Sequence, residues 1–411
     1  MMLPNGWKKV KIKDIESVDI QNGYSPLCVD YETNRKTLSL GALTGFSLDV
    51  SQQKNISENA VMPIHSLLKR NDILVSRSNT KDKVGRAAVV FDDLKGIYYP
   101  DLMMRFQVNE KIADCQFVVL CLQSPAGRRY FESCAAGTST SMVKINKNVL
   151  ESFPIMLPPL EEQKKIAATL SVWDSAIEKM EKLIEAKEDQ KKSLIWKLIE
   201  SNDNRKIKLG KVVVDKNKWR KSKLSDVASG FDYGMNAAAK EYDGKNKYIR
   251  ITDIDDVSHK FNSIDLVSPN AELEDKYRVN EGDILFARTG ASTGKSYLYD
   301  KNDGILYFAG FLIRVHVLKD NPFFIYIQTL SSKYQNWLKK MSMRSGQPGV
   351  NAEEYKNLPV LVPTLPEQNA ITEVLSAAEK ELSLLKQQLE NYKKQKQGLM
   401  QKLLTGEWRV K

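Results

Sequence analysis

"PLEEQKKIAATLSVWDSAIEKMEKLIEAKEDQKKSLIWKLI" runs from Pro159 to Ile199, and "TLPEQNAITEVLSAAEKELSLLKQQLENYKKQKQGLMQKLL" from Thr364 to Leu404. Apolar residues in the first fall at Ile166, Leu170, Trp173, Ile177, Met180, Ile184, Leu194 and Leu198, in steps of four and three. Lys187 and Lys191 take the two remaining seam positions. The second carries Ile371, Leu375, Ala378, Leu382, Leu385, Leu389, Tyr392, Leu399 and Leu403, with Lys396 among them, each 205 residues after its counterpart. Steps of four and three held over about five heptads predict a coiled-coil seam, not an ordinary amphipathic helix. Each helix is expected to span about 39 residues, or about 58 Å. Trp173 and Ala378 share a repeat position, so the two seams are expected to meet partners of different size.

The similarity continues outside the helices. "WKKVKIKDI" from Trp7 matches "WRKSKLSDV" from Trp219, "NDILVSRSNTKDKVGRAAVV" from Asn71 matches "GDILFARTGASTGKSYLY" from Gly282, and "INKNVLESFPIMLPPLEEQ" from Ile145 matches "VNAEEYKNLPVLVPTLPEQ" from Val350. The chain is therefore a duplication, with the halves differing most in the middle of each globular part. "DILVS", "RAAVV", "QFVVL", "DILFA", "GILYF" and "FLIRVHV" predict short strands. "DCQFVVLCLQSPAGRRYFES" and "NPFFIYIQTLSSKYQNWLKKM" suggest local helices. The expected fold class is α+β: two tandemly repeated globular domains, 1–157 and 219–362, with two long helices, 158–200 and 363–404, a basic linker at 201–218 and a tail at 405–411. The helices are expected to pack as an antiparallel coiled coil related by a pseudo-two-fold axis. A parallel pair would force the short linker back along nearly the whole rod, at the limit of about 3.3 Å per residue.

The 411 residues carry 62 Lys plus Arg against 51 Asp plus Glu, a formal net charge of +11. That balance suits a polyanion such as DNA, or a merely basic surface. Arg205 to Lys223 holds nine Lys or Arg and one Asp, read either as a solvated tether or as a surface beside phosphates. Cys28, Cys115, Cys121 and Cys134 form no close pair, which argues against zinc and for reduced thiols in a cytoplasmic protein. No apolar run approaches about 20 residues, so no membrane span is expected.

Apparent catalytic motifs fail on spacing. "GASTGKS" at Gly290 has three residues between its glycines where a phosphate loop needs four, so a turn is expected, either structural or close to DNA. "NPFF" at Asn321 lacks the second proline of an adenine methyltransferase loop. Asp253, Asp255 and Asp256 read as a polar loop, and His65, His259 and His316 are widely separated. No nucleophile–base set is apparent.

The helix entries "LPPLEEQKKIAATLSVWD" and "VPTLPEQNAITEVLSAAE", the motifs "NDILVSRSNTKDKVGR" and "GDILFARTGASTGKS", the joining segment "SGQPGVNAEEYKNLPV" and the ending "LMQKLLTGEWRV" together resemble a Type I restriction-modification specificity subunit, over essentially the whole chain. The resemblance implies a non-catalytic protein that binds double-stranded DNA at a bipartite, asymmetric target. It implies one half-site per recognition domain, with a gap fixed by the helices. It also implies docking of two methyltransferase subunits and of restriction/translocase subunits, which use S-adenosylmethionine, ATP and magnesium; this chain itself would hold no cofactor. "SRSNTKDKVGR" is longer than "ARTGASTGK" and has Asn79 where the other repeat has Gly290, so the two loops are expected to differ. Base reading uses Arg, Lys, Asn or Gln on loops. The candidates are Arg77, Lys81, Lys83 and Arg86 in the first domain, and Lys245, Lys247, Arg250, Arg288, Lys295, Arg344 and Gln347 in the second. The competing reading is a coiled-coil scaffold that binds proteins only.

Overall fold

The structure, a computed structural model, describes residues 3–45, 47–137, 142–201, 205–343 and 348–410. The chain forms two compact units, Met1–Leu183 with Leu385–Lys411, and Ile184–Leu384. Each therefore contains one globular part and a stretch of both long helices.

In the first unit, Glu16–Asn22, Met103–Val108, Ile73–Ser76 and Ala87–Val89 form an antiparallel sheet in that order. In the second unit, Ala228–Tyr233, Leu312–Val317, Asp283–Ala287 and Ser296–Leu298 repeat the order and the antiparallel sense. The frameworks agree because the same apolar runs supply them: "DILVS" and "DILFA" are buried throughout. The additions to the frameworks differ in how their strands are joined. The first unit adds a four-stranded sheet, Cys28–Val29, Gln53–Ile56, Lys36–Leu38 and Ile97–Tyr98. The second repeats the outer pairings, Ala239–Glu241 antiparallel with Val267–Pro269 and Lys247–Ile249 parallel with Leu306–Phe308, but as two separate pairs, without the pairing that joins Gln53–Ile56 to Lys36–Leu38 in the first.

"QFVVL" is helical, as the longer run "DCQFVVLCLQSPAGRRYFES" suggests, and not the strand its apolar residues alone predict. It lies in the helix Cys115–Gln123, whose Asp114 side chain accepts the Phe117 N–H at 2.8 Å. Phe117 to Leu122 are all buried, and a short apolar run buried on all sides has no period to distinguish helix from strand.

The long helices are Leu160–Ile195 and Leu365–Leu404. The first ends in a wide π turn, Trp196–Glu200, which lets the adjacent Leu198 and Ile199 both enter the core of the second unit. Pairing is antiparallel within each unit. In the first, Lys393 meets Glu181 at 2.8 Å and Lys396 meets Asp174. In the second, Lys187 meets Glu381 at 2.8 Å and Lys191 meets Glu379 at 2.8 Å. Trp173 packs edge-on against Tyr392, with centroids 6.0 Å apart. The seam lysines are thus structural: each reaches a carboxylate across the pair. Ile166, Leu170, Ile177, Ile184, Leu198, Ile371, Leu375, Leu382, Leu389 and Leu403 are buried. Each such side chain contributes about 1.5–3 kcal/mol.

The basic linker is not a loose tether. Ile207–Leu209 and Val212–Val214 form a hairpin, and Val214 joins the core. Lys216 donates to the Lys197 carbonyl at 2.6 Å and the Ser201 carbonyl at 3.1 Å, closing the end of the first long helix. Alternating apolar residues and the left-handed Gly210 (φ 56°) favour the hairpin over the extension that charge alone suggests.

Candidate nucleic-acid interface

Each long helix starts from a proline-rich strand end and is fixed by one buried glutamine. The Gln163 Oε1 accepts the Asp114 N–H at 2.8 Å, and its Nε2 donates to the carbonyls of Pro158 (2.8 Å) and Ile112 (3.0 Å). Gln368 repeats this, accepting from Asn321 N–H at 2.8 Å and donating to the Pro363 carbonyl at 3.0 Å and Asp320 at 2.6 Å. Both glutamines are fully buried. The carboxamide is uncharged and carries a separate acceptor oxygen and an NH2 with two donor hydrogens, which matches one N–H and two acceptors around it. This ties the helix N-terminus to the loop opening the adjacent helix. The preceding glutamates also do more than face a positive helix end. Glu162 takes a two-point contact from Arg409, at 2.6 and 2.8 Å, and the Trp7 indole N–H at 3.3 Å. Glu367 accepts from Asp215 N–H at 2.8 Å. Burial pushes its carboxyl up, but this bond and those from Thr364 outweigh it and hold it below the usual range.

Where the main sheet meets the variable part, each unit forms the same arginine elbow. Arg77 N–H donates to the Leu102 carbonyl at 2.8 Å, and its own carbonyl accepts from Ile145 at 3.0 Å. Arg288 N–H donates to the Phe311 carbonyl at 3.0 Å, and its carbonyl accepts from Val350 at 2.9 Å. The side chains also turn the same way: Arg77 Nη1 reaches the Asp101 carbonyl at 3.3 Å, and Arg288 Nε the Gly310 carbonyl at 3.1 Å.

Beyond the elbow the turns diverge. In the first unit Lys81 and Lys83 are exposed, while Arg86 Nη1 donates to the Thr44 carbonyl at 3.1 Å. The turn returns through Gly85 (φ +75°), where an added Cβ would stand 2.4 Å from the Phe131 ring. In the second, Gly294 (φ +86°) plays that part, 2.1 Å from Leu338 on the same reckoning. The second glycine of "GASTGKS" is therefore set by packing and by its left-handed backbone. Asn79 lies in a short strand paired with Val143–Lys144, whereas Gly290 opens a 3-10 turn, so the two loops do differ.

The remaining candidates are largely engaged within the second unit. Arg250 grips Asp253 with two bonds of 2.8 Å. Lys295 pairs with Asp256 and donates to the Ile254 carbonyl at 3.3 Å. Lys247 donates to the Asp303 carbonyl at 2.6 Å. Lys245 is exposed on a turn organised by Asp243, whose carboxyl is held far below the usual range by hydrogen bonds from Asn246 and Lys245. Arg344 and Gln347 lie outside the described residues. Asn321 of "NPFF" caps the helix Pro322–Gln328. The aromatic residues around Arg288 and the glutamine anchors are functional features that spacing along the chain does not reveal. The shared Gln in "EEQ" and "PEQ" was the available signal.

Among the described residues no group of three or more His, Cys, Asp or Glu is placed to hold a metal ion. The four cysteines are free, and burial pushes the Cys121 thiol far up. No helix among the described residues is long and apolar enough to cross a membrane.

Residues 4–188 and 216–393 match the family model described as Type I restriction modification DNA specificity domain. The chain is 27% identical over 363 residues to the Type I restriction enzyme MjaVIII specificity subunit of Methanocaldococcus jannaschii, covering 84% of this chain and 81% of that one. It is 27% identical over 176 residues to the Type I restriction enzyme EcoEI specificity subunit of Escherichia coli, covering 41% of this chain and only 29% of the relative's length. The crystal structure of a Type-I restriction-modification S subunit from M. genitalium has a TM-score of 0.60 and 16% identity, with 98% of each chain covered, which shows a shared fold.

Proposed function

The chain belongs to the Type I restriction modification DNA specificity family, and from this we propose that it recognises a bipartite, asymmetric duplex DNA target as a non-catalytic subunit. Each globular part reads one half-site. The long helices set the gap and dock two methyltransferase subunits, with restriction/translocase subunits joining the assembly. S-adenosylmethionine, ATP and magnesium serve those partners.

The observation that carries this reading is the combination of like frameworks with unlike sequences on them. The four-strand order and the arginine elbow recur, while the segments beyond them differ in sequence, and their four added strands form one sheet in the first unit and two separate pairs in the second. A scaffold binding one kind of protein twice has no need of two different surfaces. A reader of two different sequences does. The helices, 36 and 40 residues long, extend about 54 and 60 Å and suit a ruler. Arg77, Lys81, Lys83, Arg86, Lys245, Lys247, Arg250, Arg288, Lys295, Arg344 and Gln347 remain the proposed DNA contacts. Those already paired internally, Arg250 and Lys295 above all, are better suited to shaping loops than to reaching bases.

The test is binding to a random duplex library by the full chain together with its methyltransferase subunit, over a range of salt. Enrichment of two short tracts separated by a fixed gap is expected, with affinity falling steeply as salt rises. Absence of any sequence preference at low and moderate salt would leave the protein-only scaffold as the reading.

A further inference from the structure

We propose that Arg288 reads a guanine in the half-site taken by the second unit, an inference that rests on the DNA reading above. Its backbone is held on both sides, by the Phe311 carbonyl at 3.0 Å and the Val350 N–H at 2.9 Å. Its Nε is fixed on the Gly310 carbonyl at 3.1 Å. The guanidinium carbon lies 4.9 Å from the Tyr233 ring centroid and 5.8 Å from that of Phe311. Tyr233 is itself anchored, its hydroxyl accepting the Ala352 N–H at 3.2 Å. Both rings reach the surface, 45% and 56% exposed. The guanidinium is thus clamped at the protein boundary.

The clamp leaves the outer edge of the fork open. Among the described residues, no acceptor takes either Nη group of Arg288. Arg250 differs, its fork closed by Asp253, as does Arg314, engaged by Asp232 at 2.8 Å and the Arg278 carbonyl at 2.9 Å. The equivalent Arg77 commits part of its fork, Nη1 donating to the Asp101 carbonyl at 3.3 Å.

A planar donor pair immobilised before binding loses little rotamer entropy when it meets its ligand. Guanine offers O6 and N7 side by side in the major groove, and the arginine fork matches them in two-point fashion. Phosphate also accepts such a fork, but a flexible lysine serves phosphate as a point charge and needs no clamp. Tyr233 and Phe311 are positioning residues in this account.

The experiment is selection from a random duplex library by the full chain with its methyltransferase subunit, comparing Arg288→Ala, Arg288→Lys and Phe311→Ala. The wild type should require guanine at a position that both Arg288 variants no longer distinguish, with preference there falling on the order of tenfold to a hundredfold. Every other position, including the whole other half-site, should be retained, and Phe311→Ala should fall between. The retained half-site reports folding, and Arg288→Lys carries the test if the alanine variant does not fold. Unchanged preference at every position overturns the proposal. So does uniform weakening with a salt slope smaller by about one, the mark of a phosphate contact. A wild type that selects no sequence removes the DNA reading itself, and this inference with it.

Discussion

Lys396 of the second long helix is buried against Asp174 of the first, and Lys191 and Glu379 repeat the pair 205 residues out of phase. The lysine of each helix reaches the acid of the other. Ion pairs of this kind add little net stability, because burial costs about what attraction returns, but they penalise every slipped register. The Asp174 side chain is 24% exposed and that of Lys396 only 6%. Asp174→Ala should therefore cost about 3 kcal/mol, by stranding the lysine charge. Replacing both residues by Leu should restore most of the loss. Denaturant titration of the two single variants and the double variant measures this. Additive losses would show that the pair does not act as a unit.

The two layers should respond oppositely to acid. Burial is the largest influence on Glu379, but Lys191 and Lys260 together outweigh it and hold its carboxyl below the ordinary 4.5. Its contribution is full above that value and is lost as pH falls through the lower folded value. In Asp174, burial outweighs Lys396 and raises the carboxyl above 3.8. Its contribution favours folding below 3.8 and is lost as pH rises through the raised value. Melting curves between pH 7 and 3 should show a shallower acid loss for Glu379→Gln than for wild type. An equal or steeper loss would remove Glu379 from the account.

Gln163 and Gln368 predict a stability phenotype far from any DNA contact. Gln163→Ala leaves the Asp114 N–H and two carbonyls without their partner, at a cost of about 1–3 kcal/mol for each group left buried. Gln368→Glu should be worse than Gln368→Ala, since an ionised carboxylate would face the Pro363 carbonyl. Chemical denaturation ranks the variants. A neutral Gln163→Ala would mean that the helix entry is held by something else.

The coiled-coil seam was legible because its period persists over many turns, and the duplication because residues recur in order. The framework strands "DILVS" and "DILFA" were legible as short apolar runs. "QFVVL" pointed both ways, to a strand by its own apolar run and to a helix by the longer stretch around it, since uniform burial erases periodicity. The hairpin at 207–214 lay behind its lysines, although its alternation around Gly210 and Lys211 was present. The Arg288 site was only half visible: the arginine stands in a repeated motif, but its clamp joins Tyr233, at the end of one strand, to Gly310 and Phe311 in the turn before another. Such a clamp exists only after folding, so spacing along the chain does not announce it.

Gly294→Ala tests the turn reading of "GASTGKS". Its Cβ would press on Leu338 at 2.1 Å, and its φ of +86° disfavours any side chain. A loss of more than about 1 kcal/mol is expected, only partly recovered by Leu338→Ala because the backbone strain stays. Thermal melting compares the variants, and full recovery would show that sterics alone set the glycine.

The division of labour between globular parts and helices is tested most directly by exchange. Leu3 to Pro154 is replaced by the corresponding region of a relative, both long helices are kept, and methylated sites are mapped over a random duplex library with the methyltransferase subunit present. One half-site should change, while the other half-site and the gap stay as in the wild type. A chimera that rewrites both half-sites, or shifts the gap, would contradict the claim that each globular part reads its own tract and the helices measure the distance between them.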